Sequence, residues 1–383
     1  MKWVHVNAEA AGIGGATIAA LRIHRVLLAH GEDSIFACWD KPYADKSALL
    51  RRNVWRMALK AFSHVILRIV SGGNHSTGLI PSGMAAFVNK MCPDAVILHW
   101  LQMDTMSIAE ISKLAAKRIF WFHHDLWPIR GLTAHEWFPV PKRLGWLDRY
   151  VKRNKREIVC KTGRRLVPVC SSKWVASEIQ KSGMFANKPE VIPLPIDPVF
   201  SKGTRVNGGK FHILNGARGG FSGGLKGGDR LLAAFRKIPQ AEKSDMELVV
   251  FGEDGAEKDV EGVHVRFAGK LHGESLAQAY RDADLFAFPS RQETFGQTKL
   301  EALFCGTPVA VFDETACAEW IEHKKTGWVS TRDDIDDYAE GIRWFYRHWK
   351  EGNPIRVKGF DAEKHNAAVV EMWRSLMDGA NDE

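Results

Sequence analysis

A chain of 383 residues is long enough for two domains, each with a core of its own. Hydrophobic residues make up 45% and charged residues 26%, and no apolar run reaches the ~18 residues of a membrane span, so the expectation is a soluble globular protein. The net charge of +8 predicts an anionic partner: nucleic acid, anionic lipid or a phosphorylated substrate. Six cysteines, at 38, 92, 160, 170, 305 and 317, form no Cys-x-x-Cys pair. That scatter predicts reduced thiols in a cytoplasmic protein and argues against a zinc site. Residues 1–6 lead into a strand without a signal-peptide pattern.

In chain order, residues 2–6 predict a strand, a loop follows with Gly12, Gly14 and Gly15, and residues 16–29 predict a helix. This is the opening of a Rossmann-like unit. It lacks the dinucleotide fingerprint, because Thr17 follows where that pattern needs another glycine. A second strand is expected at 35–38. Residues 49–70 carry Val54, Met57, Ala58, Phe62, Val65, Ile66 and Ile69 at helical spacing, decorated by Arg51, Arg52, Arg56, Lys60 and Arg68. Such a basic amphipathic helix either covers a core or docks on an anionic membrane surface. Strands are expected at 94–98, ending in His99-Trp100, and at 118–122, ending in His123-His124-Asp125, with a helix over 107–116 between them. Polar groups just past the C-terminal ends of parallel strands lie where doubly wound sheets bind ligands.

Residues 142–165 are strongly basic, with Trp146 and Tyr150 interleaved; the readings are a solvated helix face, or a membrane or phospholipid-linked substrate. No nucleic-acid motif accompanies them, so nucleic acid is set aside. After a strand at 166–170, Ser171-Ser172 caps the next helix, and the proline-rich segment 191–200 marks the domain boundary. A second β/α series begins with a strand at 212–215 and a loop with seven glycines over 216–228, holding Arg218 and Lys226. A helix at 229–238, strands at 247–251 and 263–268, and a helix at 274–282 follow. Then comes the most informative stretch. Residues 285–288 are a buried strand stopped by Pro289, and residues 298–304 are a helix closed by Gly306-Thr307-Pro308. Glu293 in the loop and Glu301 in the helix flank that helix N-terminus, where Gly296 permits close backbone approach. Free N–H groups at a helix N-terminus bind phosphate, and adjacent carboxylates suit sugar hydroxyls, as in the donor pocket of a nucleotide-sugar enzyme.

Lys226-Gly227, Phe251-Gly252, Phe267-Ala-Gly-Lys270, Pro289-Ser-Arg-Gln-Glu293-Thr-Phe-Gly296, Glu301-Ala302, Gly306-Thr-Pro-Val309, Glu319 and Thr326-Gly327 resemble, in order and spacing, glycosyltransferases of the GT-B fold, in the large retaining family numbered four. His99-Trp100, His124-Asp125-Leu-Trp127 and Ile192-Pro-Leu-Pro-Ile-Asp197 resemble the exopolysaccharide and colanic-acid-type members. The resemblance implies an α/β chain of two Rossmann-like domains whose parallel sheets face across a cleft. An acceptor-side domain would span 1–200, joined by a C-terminal helix at about 361–383, and a donor-binding domain would span 201–360. It further implies a hexosyltransferase that moves a sugar, with retention, from a nucleotide-diphosphate sugar to a saccharide or polyprenyl-diphosphate-linked acceptor in surface-polysaccharide or lipopolysaccharide synthesis.

Negative charge grows on the departing diphosphate, and fixed cations stabilise it. Arg218 and Lys226 fit that task, and the resemblance assigns the donor-phosphate cations to them. No metal or other cofactor is then needed, and Asp282-Ala-Asp284, an imitation of a metal motif, reads as structural. The resemblance places Glu301 on the ribose hydroxyls and Glu293 toward the donor sugar. It puts the N–H groups around Thr294, Phe295, Gly296, Gln297 and Thr298 at sugar and phosphate, and Gly252 in the donor site. His124, with His123 as rival, would contact the transferring sugar, and Gly14 and Gly15 would let the first-domain loop approach the diphosphate. Two departures stand out. Thr315-Ala-Cys-Ala318 replaces the usual glycine-rich turn before Glu319, so positive φ is not freely available there. Lys299 puts an extra cation near the helix start, toward phosphate or solvent. The alternatives are a nucleotide-sugar 2-epimerase of the same fold and a catalytically dead nucleotide-sugar-binding protein. The basic first half adds a peripheral place on the inner face of the cytoplasmic membrane.

Overall fold

Strands and helices alternate through most of the chain, and the computed structural model describes residues 1–7, 14–39, 46–50, 62, 65, 66, 68, 69, 75–102, 105–134, 139–206, 209–216 and 224–378. Two units are distinct: Met1–Pro195 with Ala367–Glu383, and Ile196–Asn366. The chain passes between the units at 195/196 and at 366/367.

In the first unit, β1 (Lys2–Val6), β2 (Asp33–Cys38), β3 (Ser47–Leu49), β4 (Ala95–Leu98), β5 (Arg118–His123), β6 (Leu166–Cys170) and β7 (Glu190–Val191) form one sheet. Its order is β3-β2-β1-β4-β5-β6-β7, and every pair is parallel. Strand order reverses between β1 and β4, and such a switch point opens a crevice at the strands' C-terminal ends. Strands buried on both faces read as continuous apolar runs, which is why Ala95–Leu98 was visible in the sequence. The C-terminal helix Ala362–Asp378 packs Trp373 edge-on against Trp3 and Phe120, with centroids 6.1 and 5.6 Å apart.

The helix expected over 107–116 is shorter, Ile108–Ile111, capped by Ser107 and Glu110. The Asn89 side chain takes the Lys113 carbonyl and the Ala115 N–H, both at 2.9 Å, and so competes with further helical hydrogen bonds. Ser172 caps the helix Lys173–Lys181 by accepting from the Val175 N–H at 3.2 Å. The helix expected at 49–70 lies mostly outside the described residues; Phe62, Val65, Ile66, Arg68 and Ile69 are helical and exposed.

The basic stretch forms the helix Gly145–Thr162 between short 3-10 turns. Lys155 corrects the reading of this stretch as wholly solvated or membrane-facing. It is fully buried, and Nζ donates to the carbonyls of Trp127, Arg130 and Gly131 at 2.7, 2.9 and 2.8 Å. It also lies 3.4 Å from the Trp127 ring centroid. Trp146, Arg149, Tyr150, Lys152, Arg153 and Arg156 remain exposed.

The second unit repeats the plan. Its strands are β8 (Phe211–Gly216), β9 (Met246–Phe251), β10 (Lys258–Val260), β11 (Val263–Gly269), β12 (Leu285–Phe288), β13 (Val309–Phe312) and β14 (Gly327–Ser330). They run in the order β10-β11-β9-β8-β12-β13-β14, with only the edge pair β10–β11 antiparallel among the described strands. The switch point falls between β8 and β12. The loops after these two strands carry Lys226 and Glu293, which positions the candidate site.

Candidate active site

Three chain segments meet at the end of β12. Gly227, in the left-handed region at φ 72°, starts the helix Gly228–Lys237, and a Cβ there would stand 2.0 Å from the Pro289 carbonyl oxygen. Only glycine lets these backbones approach so closely. The Arg291 N–H donates to the Leu225 carbonyl at 3.0 Å, and its guanidinium pairs with both Asp229 oxygens at 2.7 and 2.6 Å. With the two loops clamped, Lys226 Nζ reaches Glu293 Oε1 at 2.6 Å. Burial works against the Lys226 charge, but attraction and hydrogen bonding to Glu293 outweigh it and raise the pKa above the usual lysine value.

Glu293 is fixed from the other side. Its N–H donates to Thr315 Oγ1 at 3.0 Å, and its carbonyl accepts from the Ala316 N–H at 3.2 Å. Thr315 adopts φ 48°. The turn therefore takes the left-handed conformation without glycine, and a β-branched residue bears the strain. Lys299 supports the same turn from below, and this corrects its reading as a phosphate or solvent contact. It is fully buried, and Nζ donates to the carbonyls of Ala316, Cys317 and Glu319 at 2.7, 2.9 and 2.8 Å. Burial brings its pKa down to about 8. Cys317 is pushed up to about 12 by burial, so no thiolate nucleophile stands beside Glu293 at neutral pH.

The helix Gln297–Phe304 begins at Gly296, at φ 83°, where a Cβ would meet the Phe288 ring at 3.1 Å. Among the described residues no side chain caps this helix at Gly296, and its first turn carries the partial positive charge that attracts anions. Phe295 is buried, while Thr294, Gln297 and Thr298 are partly exposed. Glu301 is buried and accepts from the Tyr280 hydroxyl at 3.2 Å. Gly252 follows β9 and donates its N–H to the Gly269 carbonyl at 2.7 Å. Arg218 lies outside the described residues. Asp284 accepts from Arg205 at 2.5 Å and from the His212 N–H at 2.9 Å, and Asp282 accepts from the Val206 N–H at 2.7 Å, so the two carboxylates tie down Arg205, Val206 and His212. Among the described residues, no three His, Cys, Asp or Glu side chains are grouped to hold a metal ion.

Sequence reasoning missed Arg230. Its guanidinium makes two bonds to Glu314, at 3.0 and 2.9 Å, pairs with Asp333 and lies 4.6 Å from the Phe312 ring centroid. The group is buried and anchors the helix Gly228–Lys237 to the end of β13. An arginine early in an amphipathic helix carries no signal of this.

In the first unit, the adjacent histidines part ways. His123 is fully buried between Trp121 and Phe185, ring centroids 5.6 and 5.4 Å away, and neither nitrogen has a hydrogen-bond partner among the described residues. His124 is partly exposed, and its Nε2 meets His99 Nδ1 at 3.0 Å. Burial lowers both pKa values to about 3, the charge of His124 adding to the effect on His123. Asp125 caps the turn that follows, accepting from the Trp127 N–H at 2.8 Å and from Gln102. Gly14, in ordinary extended conformation, precedes the helix Gly15–Ala29, and residues 8–13 between it and β1 lie outside the described residues.

These observations define the class: two Rossmann-like α/β units, the GT-B fold. Residues 221–358 match the family described as "Glycosyl transferases group 1", a span that holds Lys226, Glu293 and Glu301. Sulfoquinovosyl transferase SQD2 of Arabidopsis thaliana is 32% identical over 116 residues, covering 30% of this chain and 22% of that protein. A D-inositol 3-phosphate glycosyltransferase of Jonesia denitrificans is 45% identical over 64 residues, covering 17% and 15%. The matched segment thus spans about a fifth or less of these relatives' length. Over the whole chain the likeness is one of fold. Anabaena Alr3699/HepE, solved in complex with UDP-glucose, superposes with a TM-score of 0.66 at 15% identity, covering 98% of this chain and 100% of that one. Sucrose-phosphate synthase from Thermosynechococcus elongatus gives 0.63 at 16%, covering 100% and 98%.

Proposed function

We propose that the chain is a retaining glycosyltransferase of the family numbered four, which transfers a sugar from a nucleotide-diphosphate sugar without a metal ion. The observation that carries this is the Lys226–Glu293 pair, closed at 2.6 Å beside an uncapped helix N-terminus at a topological switch point, within the matched segment. Lys226, with Arg218, would neutralise the diphosphate as it leaves, and the first-turn N–H groups of Gln297–Phe304 would share that charge. Glu293 would face the donor sugar, with Glu301 on the ribose hydroxyls. The sugar would pass through a short-lived oxocarbenium-like state. HepE's complex with UDP-glucose makes that donor the first to try. A thermal-shift screen of UDP-, GDP- and ADP-sugars should raise Tm for one nucleotide class, since a ligand of the native state stabilises it by mass action. Product analysis with that donor should show a new glycosidic bond of unchanged anomeric configuration, undiminished by EDTA. A free epimer with no new bond would overturn the reading in favour of the epimerase; binding without turnover would favour a dead site.

We place the acceptor, a saccharide or a polyprenyl-diphosphate-linked sugar, at an anionic membrane surface. The support is the helix Gly145–Thr162, which exposes Trp146 and Tyr150 among Arg149, Lys152, Arg153 and Arg156, together with exposed Phe62, Val65, Ile66 and Ile69. No described helix is long and apolar enough to cross a membrane. Cosedimentation with phosphatidylglycerol vesicles should be strong at low salt and fade as salt rises. Each basic side chain near such a surface contributes about 1 kcal/mol, so Arg149→Ala with Lys152→Ala should weaken binding roughly 30-fold. A wild-type chain that stays in the supernatant at low salt would remove the membrane from the account.

A further inference from the structure

Three imidazoles run end to end across adjacent strands of the first sheet. His5 is on β1, His99 follows β4 and His124 follows β5. His5 Nδ1 lies 2.9 Å from His99 Nε2, and His99 Nδ1 lies 3.0 Å from His124 Nε2. Both centroid separations are 5.2 Å, close to the ~4.8 Å between neighbouring strands, so one ring per strand spans the gap. The His5 and His99 planes are within 5° of parallel and those of His99 and His124 are 32° apart, a twist about the N···N axis that an N–H···N bond tolerates. His5 and His99 are buried, and His124 is the partly exposed end of the row.

A neutral imidazole has one donor nitrogen and one acceptor nitrogen, so each bond in the row fixes the next. Two assignments satisfy both contacts. In one, every proton sits on Nδ1: His5 donates to His99, and His99 donates to His124. In the other, every proton sits on Nε2 and the direction is reversed. The far end decides between them. His5 Nε2 is buried and has no hydrogen-bond partner among the described residues. An orphaned N–H costs more than an orphaned lone pair, and buried N–H groups without acceptors are rare. The Nδ1 assignment leaves only a lone pair at His5 Nε2.

We propose that His5 and His99 are positioning residues that hold His124 as a neutral imidazole with its proton on Nδ1. The row also opposes charging of His124: a proton on its Nε2 would confront the His99 N–H, and relief would require every tautomer upstream to reverse. Burial pushes all three groups toward the neutral form, consistent with this. On the glycosyltransferase reading, on which this last step rests, His124 would then meet the transferring sugar as a fixed neutral imidazole rather than as an acid.

The test uses the full chain with ring-15N histidine, the His124 signals being assigned by their loss in His124→Asn. Long-range 1H–15N correlation at neutral pH should show His124 with Nδ1 protonated and Nε2 bare. His99→Phe removes the donor, and His124 should drift to a tautomer mixture. His99→Asn, whose amide nitrogen overlays Nδ1, should restore the wild-type pattern. In a transfer assay, His99→Phe should lower kcat about 10- to 100-fold, the size seen when a ligand-orienting partner is lost, with donor KM changing less and His99→Asn recovering most of the rate. Protonated Nε2 on wild-type His124, or an unchanged His124 in folded His99→Phe, overturns the proposal. The expected tautomers in a chain with no transferase activity would uphold the row and refute the enzymatic reading instead.

Discussion

Lys226→Ala is expected to lower kcat about 10²- to 10³-fold, the usual loss when one fixed group that stabilises developing negative charge is removed. Donor affinity should change less, because the diphosphate gains its extra charge only as the glycosidic bond breaks. The ion pair complicates a simple reading: Lys226 also neutralises Glu293, 2.6 Å away. The two side chains are 31% and 14% exposed, so their loss should cost only about 1 kcal/mol of stability. A double variant separates the roles. If Lys226 served only to neutralise Glu293, Lys226→Ala with Glu293→Gln would be no slower than Glu293→Gln alone. If it serves the leaving group, the double variant is slower than Glu293→Gln by the Lys226 factor. Glu301→Ala should behave differently, raising donor KM more than it lowers kcat, since ribose contacts are made equally in ground and transition states. Full activity in Lys226→Ala would remove the phosphate assignment.

Much of this arrangement was legible in the residues, for identifiable reasons. Strands such as Leu285–Phe288 and Val309–Phe312 are buried on both faces and appear as unbroken apolar runs between turn signals. Gly227 stands where the Pro289 carbonyl leaves no room for a Cβ, Gly296 is crowded by the Phe288 ring at positive φ, and both lie in the stretches read as ligand loops. The directions of long cationic side chains were not legible. Lys155 and Lys299 each satisfy three backbone carbonyls from inside the fold, yet lysine is almost always exposed, and carbonyls gathered by a distant turn leave no pattern in sequence. The pairing of Arg230 with Glu314 joins residues 84 apart and was hidden for the same reason. The histidine row needs strand order as well as strand identity, since His5 and His99 are 94 positions apart and meet only because β1 and β4 are neighbours.

Lys299 offers the largest expected effect on stability. In Lys299→Met the carbonyls of Ala316, Cys317 and Glu319 lose their shared donor inside the protein. Leaving buried acceptors without their donor costs about 1–3 kcal/mol each, so about 3–5 kcal/mol is expected for the three together. At about 2–4 °C per kcal/mol for a unit of this size, Tm should fall by roughly 10 °C. The turn that holds Glu293 through Thr315 should loosen too, raising donor KM. The pH dependence provides an independent check. Burial brings Lys299 to about 8, against about 10.4 for an unfolded lysine. Between those values the unfolded chain binds the extra proton, so this group's contribution makes stability rise with pH across that window, by at most about 1.4 kcal/mol per unit. Below pH 8 both states are protonated and its slope vanishes. Lys299→Met should lack that rise. Were Lys299 instead a phosphate contact, the variant would keep its Tm and its pH–stability profile and lose only donor affinity. Calorimetry of the two chains between pH 7 and pH 10 therefore distinguishes a strut beneath the turn from a ligand of the donor.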